Sequence, residues 1–184
     1  MSTEISKLLS HVLRHAPERL GIVLDANGWT SVDILISKAQ EKGFAIDRPI
    51  LEGVVAGSDK KRFTLSEDGQ LIRAAQGHSV AIDLGLQPSD PPEILFHGTA
   101  EDNLEPIMAE GLKPGTRQHV HLSLDEATAI KVGSRHGKPI VLKVNAGEMQ
   151  RNGFVFFRAE NGVWLTTHVP PVYLSGPGKD NERQ

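Results

Sequence analysis

Two arginines and a histidine in the first half of the chain have the chemistry to hold a phosphate group. Arg14 and His15 end a segment with helical periodicity, and Arg62 begins a segment with strand-like alternation. Guanidinium groups bind phosphates in a bidentate manner, and the negative end of a helix favours the cationic form of a histidine. Taken singly, each residue is more often ordinary surface charge, so this pattern leaves both interpretations open.

A second group of polar residues lies in the segment "HVHLS". Strand alternation places His119, His121 and Ser123 on one face of this segment. Two histidines at this spacing can share a metal ion, but no third ligand is evident nearby. The neighbouring Arg117 favours an anionic ligand instead.

The tripeptide "HGT" (97–99) ends a strand of buried character. Its glycine would let a ligand approach the backbone closely, although the tripeptide alone is a weak signal. Neither a Walker loop nor a dinucleotide-binding glycine fingerprint is present in the sequence.

The first half of the chain must position the phosphate-binding candidates, and it reads as three helices followed by a hairpin. Residues 21–30 predict a short strand and a turn at Asn27-Gly28, and Thr30 with Asp33 gives a partial capping-box signal for the second helix. Asp47 is the predicted cap of the third helix. The segment "KRFTLSEDGQLIRA" predicts two strands around an Asp-Gly turn. Helices followed by a two-stranded wing are typical of a winged-helix module, which we expect over residues 1–83.

The second half of the chain has a different pattern. A segment rich in proline and polar residues predicts a linker at 84–93. Five short strand-like segments and two helical ones then predict a strand-dominated α+β lobe over 94–176. Residues 177–184 have the composition of a flexible tail.

Composition limits the class of protein. Of the 184 residues 39% are hydrophobic and 23% are charged, as in a soluble globular protein with a real core, and no cysteine is available for a disulfide or a thiolate. No apolar run could span a membrane and the N-terminus does not resemble a secretory signal, so we expect a cytoplasmic protein with no membrane partner. The net charge of −3 argues against a non-specific nucleic-acid coat, but not against a pocket that holds one phosphate.

Several motifs taken together resemble one family. The order and spacing of the KptA-type RNA 2′-phosphotransferases are matched by "LSHVLRHAPERLGIVLDANGW", "KRFTL", "IRAAQGHS", "FHGT" and "RQHVHLS". The match extends over roughly residues 5–175, and several motifs in order are far more specific than any one of them. The resemblance implies an α+β protein with an N-terminal winged-helix lobe that handles RNA. It also implies a C-terminal lobe like the NAD⁺-binding core of ADP-ribosyltransferases.

The resemblance also implies roles for particular residues. Three arginines and one histidine are catalytic in the family, and by motif they correspond to Arg14, His15, Arg62 and Arg117. Contacts to NAD⁺ are expected from the residues of two motifs: His97, Gly98, Thr99, His119, His121 and Ser123. His78, from "QGHS" (76–79), is a further candidate for the RNA-phosphate side, or for a purely structural role at the boundary of the lobes.

The reaction that the resemblance implies has two steps. An internal RNA 2′-phosphate attacks C1″ of the nicotinamide ribose, and nicotinamide leaves. The ribose 2″-OH then attacks the transferred phosphate, which releases RNA with a free 2′-OH and ADP-ribose 1″,2″-cyclic phosphate. We expect NAD⁺ as co-substrate, RNA as partner, no metal and a monomer.

The residue types suit this chemistry. A phosphomonoester is largely dianionic at neutral pH and needs positioning rather than a general base, which arginines provide. We find no glutamate like the one that many protein-directed ADP-ribosyltransferases place near the nucleophile, and a carboxylate there would repel the dianion. His15 is either a general acid for the departing 2′-oxygen or only a phosphate ligand. Arg117 is assigned either to the NAD⁺ pyrophosphate or to the transferred phosphate.

Three rival classes remain at this stage. One is a non-catalytic winged-helix protein, which the apolar segment "RPILEGVVAGS" disfavours because a reader helix carries several polar side chains. The second is an ADP-ribosyltransferase acting on nucleic-acid terminal phosphates. The third is a histidine-metal hydrolase built on His119 and His121.

Overall fold

The chain forms two compact units, residues 1–86 and 87–184. A computed structural model describes residues 2–58 and 60–177. The boundary between the units lies within the segment 84–93 that sequence composition marks as a linker. Of the tail predicted at 177–184, all but Pro177 lies outside the described residues.

Three helices form most of the N-terminal unit. They are α1 (Ser2–Arg14), α2 (Val32–Glu41) and α3 (Arg48–Ala56). The Asp47 side chain accepts a hydrogen bond from the backbone N–H of Ile50, so the predicted cap of α3 is confirmed. The predicted capping box of α2 is wrong, because the N-cap is Ser31, whose Oγ accepts from the N–H of Ile34.

A three-stranded antiparallel sheet completes this unit. Its strands are β1 (Thr30–Ser31), β2 (Phe63–Leu65) and β3 (Leu71–Ala74), in the order β1-β3-β2. The predicted hairpin is confirmed, with Gly69 at φ 69° in its turn. The strand predicted within residues 21–30 is wrong in position. Its residues before the turn pair with no strand, and the strand follows the turn at Thr30.

The core of the N-terminal unit forms on the apolar face of α1. Ile5, Leu9 and Leu13 are 2% exposed or less and pack with Leu35 and Leu51 of the other two helices. The wing contributes Phe63 and other apolar residues to the same cluster. Burial of this face leaves the opposite face of α1 polar and accessible.

Six strands of the C-terminal unit form two small antiparallel sheets. The first has the order β4-β6-β9 and consists of β4 (Leu95–Ala100), β6 (Pro139–Val144) and β9 (Leu174–Ser175). The second has the order β5-β8-β7 and consists of β5 (Val120–Leu122), β7 (Phe156–Arg158) and β8 (Trp164–Thr166). Paired hydrogen bonds between the backbones of Phe96 and Ser123 connect the two sheets.

Three short helices lie among these strands: α4 (Leu104–Glu110), α5 (Glu126–Gly133) and α6 (Ala146–Arg151). The first two were predicted, whereas α6 falls in a segment that the sequence did not mark as helical. The unit has its own core, in which Leu95, Leu142, Val144 and Met149 are fully buried. Mixed helices and small antiparallel sheets confirm the α+β class. None of the helices in residues 2–58 and 60–177 is both long and apolar enough to cross a membrane.

Candidate active site

The "QGHS" segment binds the C-terminal end of α1. The backbone N–H of Ser79 donates to the carbonyl of Arg14 at 2.9 Å, which satisfies a carbonyl that the helix end leaves open. The hydroxyl of the same serine lies 2.9 Å from Nδ1 of His15. Ser79 therefore fixes both the end of the helix and one ring nitrogen of the histidine.

Arg62 immediately precedes β2 and is held through its backbone. Its carbonyl accepts from the N–H of Ala75 at 2.9 Å, and its N–H donates to the hydroxyl of Ser58 at 3.2 Å. Lys61 adopts a φ of 42°. Two hydrogen bonds that fix the backbone restrict where the guanidinium of Arg62 can reach.

His15 and Arg62 line a common cleft of about 350 Å³ within the N-terminal unit. The remaining lining residues come from the polar face of α1 and are Thr3, Ser6, Lys7, Ser10 and His11. None of these seven lining residues carries a carboxylate. Two of the residues predicted to hold a phosphate are thus brought together from positions 47 residues apart, in a cleft with only neutral or basic lining.

His78 lies buried behind this site, with 2% of its surface exposed. Burial, together with the smaller effects of the positive charges of Arg14, His15 and Arg73, lowers the pKa of His78 to about 4. Neither of its ring nitrogens has a hydrogen-bond partner among the described residues. The ring is therefore neutral at pH 7 and sits inside the unit rather than on its surface.

In the C-terminal unit, the "HGT" and "HVHLS" motifs lie side by side. Nδ1 of His97 is 3.0 Å from the carbonyl oxygen of His121, so this nitrogen carries the proton and donates. Burial lowers the pKa of His97, the hydrogen bond to the carbonyl partly opposes that change, and His136 adds to the lowering. The neutral ring then has Nε2 as an acceptor.

Gly98 and Thr99 are explained by packing within this unit. A Cβ on Gly98 would overlap the carbonyl of Ala129 in α5, so the glycine is required by the helix. The prediction from the sequence was different: that Gly98 lets a ligand approach the backbone closely. Thr99 is only 6% exposed, and its hydroxyl accepts from the side-chain amide of Asn103 at 3.2 Å.

Arg117 lies beside the histidine strand. Its Nη1 donates to Nδ1 of His121 at 3.0 Å, which orients both side chains. Desolvation lowers the pKa of Arg117, and the positive charge of Arg135 lowers it further. Two arginines therefore bring positive charge to this part of the unit.

The predicted alternation along β5 is observed. Val120 and Leu122 are buried, whereas His121 and Ser123 are partly exposed. The ring of His119 packs edge-on against the ring of Phe157, with 5.7 Å between the ring centroids. Burial lowers the pKa of His119. His119 therefore belongs to the same polar strand face but has an aromatic neighbour.

No metal centre is formed in the described part of the chain. Within residues 2–58 and 60–177, no three histidine, aspartate or glutamate side chains come close enough together to hold an ion. His119 and His121 have Phe157 and Arg117 as neighbours instead of further ligands.

Sequence reasoning missed several residues that contribute to these sites, among them Ser79, Arg135, Lys7 and His11. Ser79 lies in a motif that was noticed only for its histidine, and Arg135 follows α5 without any distinctive spacing. The cleft residues Lys7 and His11 were detectable, because they recur at helical spacing opposite the apolar face of α1.

Comparison with known proteins identifies the family from the whole chain. The model of the RNA 2′-phosphotransferase, Tpt1 / KptA family matches residues 1–168. The chain belongs to this family. The resemblance carried by the sequence motifs is thereby confirmed.

Relatives from several organisms match over nearly their full length. A protein of Agrobacterium fabrum described as a probable RNA 2′-phosphotransferase is 61% identical, over 95% of this chain and 94% of its own length. Proteins with the same description are 55% identical in Acaryochloris marina, over 92% and 94% of the two chains, and 52% identical in Flavobacterium johnsoniae, over 95% and 96%. The Tpt1 / KptA family match includes the α1 cleft, the "QGHS" segment and both histidine motifs.

Proposed function

We propose that this protein is a transferase that removes an internal 2′-phosphate from RNA, with NAD⁺ as the acceptor co-substrate. The products are RNA with a 2′-OH, nicotinamide and ADP-ribose 1″,2″-cyclic phosphate. Membership of the RNA 2′-phosphotransferase family supports the reaction, and the geometry of the two units supports the assignment of residues.

The observation that carries the proposal is the cleft with His15 and Arg62. A phosphate dianion needs cationic donors and no nearby carboxylate, and the lining meets both conditions. Arg14 adds charge at the same end of α1, where Ser79 holds the helix carbonyl. We assign the RNA 2′-phosphate to Arg14, His15 and Arg62.

The C-terminal unit has the groups that a dinucleotide requires. A neutral His97 with its Nε2 as acceptor suits a ribose hydroxyl, and Arg117 with Arg135 suits the pyrophosphate. The partly exposed His121 and Ser123 lie on the adjoining strand. We assign Gly98 and Thr99 to the packing that places β4 rather than to side-chain contacts with NAD⁺.

The first chemical step needs no proton transfer from the protein. One oxygen of the 2′-phosphate forms a bond to C1″ as the bond from C1″ to nicotinamide breaks, and nicotinamide leaves as a neutral molecule. Arg14 and Arg62 orient the phosphate and balance its charge in this step. The intermediate is RNA joined through its 2′-phosphate to ADP-ribose.

The second step is a transesterification at phosphorus. The ribose 2″-oxygen bonds to phosphorus and its proton passes to solvent, the bond from phosphorus to the RNA 2′-oxygen breaks, and the 2′-oxygen takes up a proton. We assign the proton to His15, whose Nδ1 is fixed by Ser79. The arginines stabilise charge on the phosphoryl oxygens.

The two units correspond in this proposal to separate tasks. Three helices with a small antiparallel wing suit a winged-helix lobe that handles RNA. Two small antiparallel sheets with flanking helices suit a lobe like the NAD⁺-binding core of ADP-ribosyltransferases.

One assay tests the proposal against its rivals. An RNA with a single internal 2′-phosphate is incubated with the protein with and without NAD⁺, and each reaction is run both with and without EDTA. We expect loss of the 2′-phosphate only with NAD⁺. Stable ADP-ribosylation without loss would instead indicate a transferase acting on nucleic-acid phosphates. No reaction would indicate a non-catalytic binder, and loss without NAD⁺ that EDTA abolishes would indicate a metal hydrolase.

Matched arginine variants assign the activity to the cleft. Arg62→Ala removes the guanidinium from the phosphate site and should lower the rate at least about a hundredfold. Arg19→Ala removes an exposed arginine that does not line the cleft and should leave the rate unchanged. Equal rates for both variants would remove Arg62 from the mechanism.

A further inference from the structure

The polar face of α1 extends the cleft beyond the residues assigned to the 2′-phosphate. His11 and Lys7 lie about one and two turns before His15 on this face, with Thr3, Ser6 and Ser10 beside them. With a rise of about 1.5 Å per residue, Lys7 lies about 12 Å from His15 along the helix axis. The cleft is therefore longer than a single phosphate group requires.

The chemistry of this extension is that of an anion site. Lys7 contributes an exposed cation, and the three hydroxyl side chains can donate to phosphate oxygens. The chain as a whole has a net charge of −3, so a cleft lined without carboxylates is not a consequence of general basicity. No aromatic side chain other than the histidines lines it, so stacking with particular bases is not favoured.

We propose that Lys7, His11 and the neighbouring hydroxyls bind a phosphodiester of the RNA backbone that lies outside the dinucleotide step carrying the 2′-phosphate. An internal 2′-phosphate always has a phosphodiester on either side of its ribose. When His15 and Arg62 hold the 2′-phosphate, the backbone must continue along or away from the cleft, and α1 offers the basic surface. The position of this phosphodiester relative to the 2′-phosphate rests on the proposed function. The binding itself concerns ordinary RNA backbone.

Binding through the backbone has two consequences. Affinity should depend on the length of the RNA around the 2′-phosphate and not on its base sequence. It should also fall with salt, because each phosphate contact releases counterions, with a slope of about −0.7 per contact for single strands.

Kinetics with two substrates test the assignment. One substrate is a dinucleotide with the 2′-phosphate, and the other is a hexamer with the 2′-phosphate in the middle. Lys7→Ala should raise KM for the hexamer about fivefold with kcat unchanged and should leave both constants for the dinucleotide unchanged. His11→Ala should act in the same direction. Lys42→Ala is the matched control, because Lys42 is exposed on the same unit and does not line the cleft.

Direct binding separates this inference from the proposed function. A fluorescent hexamer without any 2′-phosphate is titrated with each protein at several salt concentrations. Lys7→Ala should weaken binding and reduce the salt slope by about 0.7, relative to Lys42→Ala. If the wild-type protein removes no 2′-phosphate but this difference appears, the proposed function fails and the RNA-backbone site stands.

Two results would overturn the RNA-backbone site. The first is a hexamer affinity that is the same for Lys7→Ala, His11→Ala and Lys42→Ala. The second is an equal loss of kcat/KM for dinucleotide and hexamer in Lys7→Ala, which would place Lys7 at the 2′-phosphate itself.

Discussion

At the scale of single residues, the site depends on side chains whose position is fixed by a neighbour. His15 is held by the hydroxyl of Ser79, and Arg117 is held by the ring of His121. In both cases a flexible or rotatable group loses freedom before any substrate arrives. Such preorganisation lowers the entropy that binding would otherwise cost.

The role of His15 is tested by removing its imidazole. In the proposed mechanism His15→Ala has no acid for the second step, while the first step needs none. We expect ADP-ribosylated RNA to accumulate, which can be detected by gel mobility with radiolabelled NAD⁺. If no intermediate accumulates and only RNA affinity falls, His15 is a phosphate ligand and not an acid.

In the proposed mechanism Ser79 positions His15 through its hydroxyl, so the effect of a substitution should depend on whether the hydroxyl is kept. Ser79→Ala removes one hydrogen bond and should lower kcat by about two- to tenfold, with little change in KM for NAD⁺. Ser79→Thr keeps the hydroxyl and should restore most of the activity. Equal activity of the alanine variant and the wild-type protein would show that the contact does not matter for catalysis.

At the scale of elements, close packing decides the form of the C-terminal unit. The helix α5 lies so near β4 that Gly98 faces the carbonyl of Ala129, and a Cβ on Gly133 would come within 2.7 Å of the carbonyl of Thr99. Because β4 contains the "HGT" motif, this packing also fixes the position of His97.

A pair of glycine variants tests this packing. The methyl group of Gly98→Ala would push the backbone of β4 away from the backbone of α5. This variant should lower the free energy of unfolding by at least about 2 kcal/mol. Gly53 lies in α3, and a Cβ added there has no atom within 4 Å. Gly53→Ala should therefore raise the free energy of unfolding by about 0.5–1 kcal/mol. Chemical denaturation of both proteins measures the difference. A Gly98→Ala protein as stable as the wild type would disprove the close contact.

Local signals in the sequence predicted most elements but not their pairing. The Asp-Gly turn, the cap at Asp47 and the alternation of "HVHLS" act over a few residues, and each was predicted correctly. Residues 21–25 have strand-like composition yet pair with no strand, because pairing depends on an available partner. The cap of α2 shifted to Ser31 because β1 ends there, beside β3.

At the scale of the whole molecule, stability should depend on histidine protonation. His78 has a pKa of about 4 in the folded protein and about 6.5 when exposed in the unfolded chain, so the unfolded state binds more protons between these values. The contribution of His78 to the free energy of unfolding is therefore fully present above pH 6.5 and is lost as the pH drops towards 4. Burial also lowers the pKa of His97 and His119, which adds to the same trend.

Urea unfolding between pH 7.5 and pH 4.5 measures this dependence. The pKa shift of His78 alone corresponds to a loss of about 3 kcal/mol across the full window. His78→Phe removes the titrating group and should flatten the curve. An NMR titration that gives His78 a pKa near 6.5 in the folded protein would contradict the prediction.

The sequence by itself determined the family and the α+β class, and it supplied the residue types that we propose to hold phosphate. These properties are encoded in motifs of a few residues, whose identity is visible without coordinates. Tertiary structure alone decided that His15 and Arg62 share a cleft, that Ser79 fixes the histidine and that His78 is buried. It also showed that the glycine at position 98 is required by the packing of α5, where the sequence had suggested the approach of a ligand. Contacts between residues far apart in the chain depend on how elements pack, and no local pattern encodes that packing.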